Sequence, residues 1–152
     1  MTYGNARLPQ ALILSGKAME RDDVVEVGLR SLQWLAEIQH TSAGYFAPIG
    51  SNGFYRRGGA PARYDQQPVE ACGMVSACLD AYRVTGAARW STYATAAFGW
   101  FLGENDLHQP LYDASTGGCR DGVHADRVNE NQGAESTISF LLALRDMRSG
   151  IR

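Results

Sequence analysis

Hydrophobic positions recur with a helical period along most of the chain, and glycine and proline divide that pattern into five predicted helices with no confident strand. The first covers roughly residues 6–18, with Pro9 in its opening turn, where proline is tolerated. The second, about 22–40, has the clearest period. Val25, Leu29, Leu32 and Leu35 share one face, and Glu26, Arg30, Gln33 and Glu37 share the opposite one. The third runs over about 68–84 and stops before Gly86. The fourth, about 87–103, places Trp90, Tyr93, Ala97 and Phe101 on one stripe. The fifth, about 133–148, contains "ISFLLAL" and is apolar almost all round.

The first, third and fifth helices are small-residue-rich or apolar on most sides, whereas the second and fourth keep a wet face. That alternation predicts two layers, odd helices inside and even helices outside. The links "MERD" and "TGA" are short, so they join hairpins. The other two links, about 41–67 and 104–132, are long, and loops of that length inside a compact chain are usually functional or disordered. Their Gly, Tyr, Phe, Arg and Asp content fits ordered binding loops. Both should gather at one end, above the N-termini of the inner helices.

A weak internal repeat supports this layout. "DQQPVEACGMVSACLDAYR" aligns without gaps to "ENQGAESTISFLLALRDMR", 65 residues further on. Gln67/Gln132, Glu70/Glu135, Leu79/Leu144 and Arg83/Arg148 are identical. The first helix fits the same frame with Asn5 in the place of Glu70.

Composition narrows the class of protein. At 152 residues, with 45% hydrophobic and 20% charged residues, the chain fits one soluble, intracellular helical domain. A net charge of −2 gives no reason to expect nucleic acid or an anionic membrane as partner. No apolar run approaches a membrane span, and no secretory pattern opens the chain. Cys72, Cys78 and Cys119 are odd in number and lack metal-ligand spacing, so a reduced, cytoplasmic setting is expected, with no metal and no cofactor. Nucleophile-elbow, phosphate-loop and dinucleotide motifs are all missing.

Repeated helical hairpins with long loops at one end resemble the α/α-toroid, or six-hairpin glycosidase-like, architecture. "YGNARLPQALI", "YDQQPVEACGM" and "TGGCRDGVHADRVNENQGAEST" also resemble the C-terminal part of bacterial proteins labelled glycosyltransferase or glycosidase-like. The resemblance implies an all-α partial toroid, the last two to three hairpins of a larger ring spanning residues 1–152. It further implies a carbohydrate-active domain acting on a saccharide or nucleotide-sugar-derived glycan. Because such an arc exposes the flanks of inner helices such as "LPQALILSG", a homo-oligomer is expected.

Three groups of residues carry candidate chemistry. Glu70 and Glu135 each follow a glutamine by three residues, the spacing of a capping box on their own helices. Alternatively, with Asp65 and Glu130, they surround a sugar, since glycoside hydrolysis uses two carboxyls about 5–9.5 Å apart. The segment "GGCRDGVHADRVNEN" collects Asp121, His124 and Glu130. A histidine among carboxylates is a candidate acid/base, and an ordinary polar turn is the competing account. Finally, "GYFAPIGSNGFYRRGGAPARYD" interleaves aromatics with arginine. Tyr55, Arg57 and Tyr64 would stack on and hydrogen-bond a sugar, although the same residue types suit a protein interface. The expected catalytic residues are therefore Asp121, His124, Glu130 and Glu135. The substrate-binding ones are Tyr55, Arg57, Tyr64, Asp65 and Glu70. The alternative is a non-catalytic helical module that packs against a glycosyltransferase or self-associates.

Overall fold

The structure, a computed structural model, describes residues 1–150. It is mostly helical: α1 (Arg7–Ala18), α2 (Asp22–Ile38), α3 (Pro68–Thr85), α4 (Ala88–Gly99) and α5 (Ala134–Gly150). All five predicted helices form, with ends within a few residues of those expected. The fourth is shorter. It ends at Gly99 and tightens into a 3₁₀ turn at Trp100–Leu102. Gly103, at φ 106°, stops that turn, and the Glu104 amide reaches back to the Gly99 carbonyl at 2.9 Å. Two strands escaped the sequence reading: β1 (Gly122–Val123) and β2 (Val128–Asn129), paired antiparallel. Two residues are too few to display an alternating pattern.

Helices α1 and α2 form one hairpin and α3 and α4 another, while α5 packs on α3 and α4. Helix α3 lies between α1 and α5 and is buried around most of its circumference. This accounts for its small residues, which leave room for neighbours on several sides. The expected odd-inside, even-outside layering holds for α3 alone: α1, α3 and α5 pack side by side, α2 packs chiefly on α1 and α4 on α3, and α1 and α5, at the two ends of the row, bury only one side. The core joins Ile13, Leu32, Leu35, Met74, Leu79, Trp90, Trp100, Phe101 and Phe140 with loop residues Phe46, Ile49, Leu111, Cys119 and Val123. Fixing each residue of a long loop costs about 1–2 kcal/mol of backbone entropy, and the buried loop side chains offset it. Among the described residues, no helix is long and apolar enough to cross a membrane.

Candidate functional site

The two long loops are held together by one buried amide. The Gln66 backbone pairs with Val123 in an antiparallel bridge, N to O at 2.9 and 3.0 Å in the two directions. Its fully buried side chain accepts from Trp100 Nε1 at 2.7 Å and donates to the Arg63 carbonyl at 3.0 Å and to Asp106. Asp106 also receives the Tyr45 hydroxyl at 2.7 Å and the Arg63 guanidinium. The hydrogen bond to Asp106, reinforced by burial, pushes the Tyr45 hydroxyl above its ordinary pKa. The backbones approach closely at two glycines. A Cβ on Gly122 would lie 2.3 Å from the Gln66 carbonyl oxygen, and one on Gly50 would lie 2.0 Å from that of Tyr64.

The bridge sets the register of its neighbours. With Gln66 opposite Val123, Asp65 falls opposite His124, and Asp65 Oδ1 lies 2.5 Å from His124 Nδ1. His124 begins the turn between β1 and β2, which its amide closes by donating to the Arg127 carbonyl at 2.9 Å. On the other side, the Ser51 and Asn52 amides donate to the carbonyls of Asp65 and Tyr64, fixing the backbone that carries the carboxylate. The side chains of His124 and Asp65 are 26% and 40% exposed, so both are anchored yet reachable from solvent. An ionised Asp65 accepts the proton on Nδ1, which leaves Nε2 as the basic nitrogen. Nε2 has no hydrogen-bond partner among the described residues. This is the arrangement of an oriented imidazole acid/base.

The other expected catalytic carboxylates have separate attachments. Asp121 Oδ1 accepts from the Gly133 amide at 2.8 Å and the Ser136 hydroxyl at 2.6 Å, so it caps the entry to α5 from outside the helix. Glu130 pairs with Arg120 at 2.7 Å on the surface. Glu135 lies exposed in the first turn of α5, without a hydrogen bond among the described residues.

Glu70 departs from its capping-box expectation. Gln67 is the N-cap of α3 with no side-chain cap bond, and Glu70 turns away from its own helix. Only 5% exposed, it accepts from the Gly4 amide at 2.5 Å and from Asn5 Nδ2 at 3.2 Å, tying down the chain that enters α1. Burial pushes its carboxyl above the ordinary range, and the Gly4 and Asn5 donors pull it partly back.

Tyr55 and Arg57 meet at a different place. Tyr55 stacks on Trp34, centroids 5.9 Å apart, and with Arg57 and Met1 the two rings line a cavity of about 370 Å³. Tyr64 is half-buried against the core. Thus the structure joins Asp65 to His124 and Tyr55 to Arg57, and it assigns Glu70, Asp121 and Glu130 to other partners. Sequence reasoning gave no role to Gln66, Asp106 or Trp34, and it grouped Tyr45 with the loop aromatics without a partner. In "DQQP" nothing separates the buried Gln66 from its neighbour Gln67. Trp34 falls outside the α2 face that carries the period.

In comparisons with protein families and curated proteins, no family model and no curated protein matches this chain.

Proposed function

We propose that this chain is a carbohydrate-active helical domain, an arc of an α/α toroid, with its site at the long-loop end and Asp65–His124 as its acid/base pair. The observation that carries the reading is the His124 imidazole, held through Nδ1 by Asp65 and open at Nε2. General acid/base chemistry needs an oriented, titratable group within reach of a hydroxyl proton, and no other described histidine is bonded to a carboxylate. The sugar class is supported by the resemblance of the three motif segments and by the half-buried Tyr55 and exposed Arg57 that meet in the first long loop. The side-by-side packing of α1, α3 and α5, with α2 on α1 and α4 on α3, supports the toroid arc. Free, buried thiols at Cys72, Cys78 and Cys119 suit a cytoplasmic setting.

A panel of oligosaccharides and nucleotide sugars tests this by thermal shift and by turnover. A saccharide at one hundred times its dissociation constant stabilises the fold by about 2.7 kcal/mol, a clear rise in Tm. Turnover of that saccharide is expected to fall about 10²–10⁴-fold in His124→Gln with the circular dichroism spectrum unchanged. If no member of the panel shifts Tm, the carbohydrate reading fails. The non-catalytic reading rests on a different observation, the apolar stripes left open on α1 and α5.

A further inference from the structure

We propose that Gln67 and Asn129 flank the Asp65–His124 pair as substrate-binding amides, and that the site takes an uncharged saccharide through its ring hydroxyls. The assignment rests on the acid/base reading of Asp65–His124 and narrows its substrate to neutral sugars.

Strand register brings the two amides to the pair. In an antiparallel pairing, opposite side chains share a face, and residues two apart along a strand return to it. With Gln66 opposite Val123, Asp65 lies opposite His124 and Gln67 opposite Gly122. These four positions belong to one face, while the side chains of Gln66 and Val123 are buried on the other. The pairing of β1 with β2 extends the face by one strand, because it sets Asn129 opposite Gly122. Gly122 carries no side chain to stand between Gln67 and Asn129, and a Cβ there would lie 2.3 Å from the Gln66 carbonyl oxygen. His124 follows two residues along the same strand.

Both amides are half-buried, and each has polar capacity to spare. Gln67 is the N-cap residue of α3, yet its side chain makes no cap bond; Nε2 donates instead to Ser51 Oγ at 3.4 Å. Its Oε1 receives no hydrogen bond among the described residues. Asn129 Oδ1 accepts from the Asn131 amide at 3.2 Å, and its Nδ2 donates to no described residue. The face therefore offers an acceptor at Gln67, a donor at Asn129 and the basic Nε2 of His124. A hydroxyl is the group that can both donate and accept in such a setting. Charge decides against an anionic substrate. Segments 63–67 and 120–130 hold three arginines, and each is already paired: Arg63 with Asp106, Arg120 with Glu130 and Arg127 with Asp126. A phosphate or carboxylate would face Asp65 with no uncommitted guanidinium on these segments to receive it.

Calorimetric titration and steady-state kinetics test this, with maltotriose, cellotriose, xylotriose and mannotriose as neutral probes and trigalacturonate and UDP-glucose as anionic ones. A neutral probe is expected to bind and turn over, and neither anionic probe to compete with it. Gln67→Ala leaves α3 without loss of a cap bond, and Asn129→Ala releases only an exposed amide, so both variants should keep the wild-type circular dichroism spectrum. Each should raise KM by about tenfold with kcat within about twofold of wild type, the pattern of a residue that binds substrate without entering the chemistry. Turnover that depends on His124 with an unchanged KM in either variant overturns the inference and leaves the Asp65–His124 pair standing. Tighter binding of an anionic probe than of every neutral one does the same. If no probe of either kind is turned over, the pair fails and the inference falls with it.

Discussion

Glu70 and Asp121 show how much a carboxylate's role depends on where the chain returns in space. Each receives the start of a helix that is distant in sequence, α1 for Glu70 and α5 for Asp121. The repeat made Glu70 and Glu135 look equivalent, yet one is buried in a trans cap and the other is in solvent. Sequence spacing exposes local caps only, because a partner 66 positions away leaves no periodic trace. Glu70 also yields a pH prediction. Its folded-state pKa is raised, so the folded chain holds the proton more tightly than the unfolded chain. The stability contributed by this proton is fully present below the ordinary carboxylate range and is lost as pH rises through the raised value. Glu70→Gln should therefore remove that portion of the pH dependence while keeping an acceptor for Gly4. Glu70→Ala should cost about 1–3 kcal/mol in acid, since buried amides lose their partner, and less as pH rises through the raised value. Urea melts of the three proteins across the acid range measure both effects. A wild type and a Glu70→Gln variant with the same pH slope would count against the assignment.

At the scale of elements, the helices were legible because their boundaries are written locally in Gly, Pro and a change of hydrophobic period. The loops were legible in length and in ordered character. Their pairing was not, because it depends on a single bridge at Gln66 and on two-residue strands. Equally hidden was how closely two helices approach. Gly16 and Gly28 let α1 and α2 nearly touch: a Cβ on Gly28 would sit 2.8 Å from Ile13 Cγ1 and 3.0 Å from its amide nitrogen. Helix propensity alone favours replacing a mid-helix glycine with alanine by roughly 0.5–1 kcal/mol. At Gly28 the steric term should win, and Gly28→Ala is expected to destabilise by about 1–2 kcal/mol. Gly73, in α3, is the internal control. Its nearest neighbour would stand 3.7 Å from the new Cβ, an ordinary contact. Gly73→Ala should follow propensity and stabilise by about 0.5–1 kcal/mol. Opposite signs in urea midpoint would separate close packing from backbone freedom, and equal signs would refute the reading of the α1–α2 contact.

At the scale of the whole molecule, the loops and the helical row share one core, so they should unfold together. The three thiols report on both parts. Cys72 and Cys78 belong to α3, and Cys119 sits in the second long loop, its amide donating to Thr137 Oγ1 of α5 at 3.2 Å. All three are buried, and burial pushes the Cys78 and Cys119 thiols up to about 12. At neutral pH such thiols are almost wholly protonated and inaccessible, which makes them unreactive toward disulfide reagents. Native protein should therefore show no labelling, and three thiols should appear at the denaturant concentration where the helical signal is lost. Labelling of Cys119 ahead of Cys72 and Cys78 would show that the second loop opens separately. The coupling matters for the proposed site, because the turn that carries His124 belongs to that loop and Asp65 to the other. A pair spanning two segments keeps its geometry only while both remain docked on the same core. Coincident release of Cys119 and Cys78 is accordingly the expected signature of a preorganised Asp65–His124 pair.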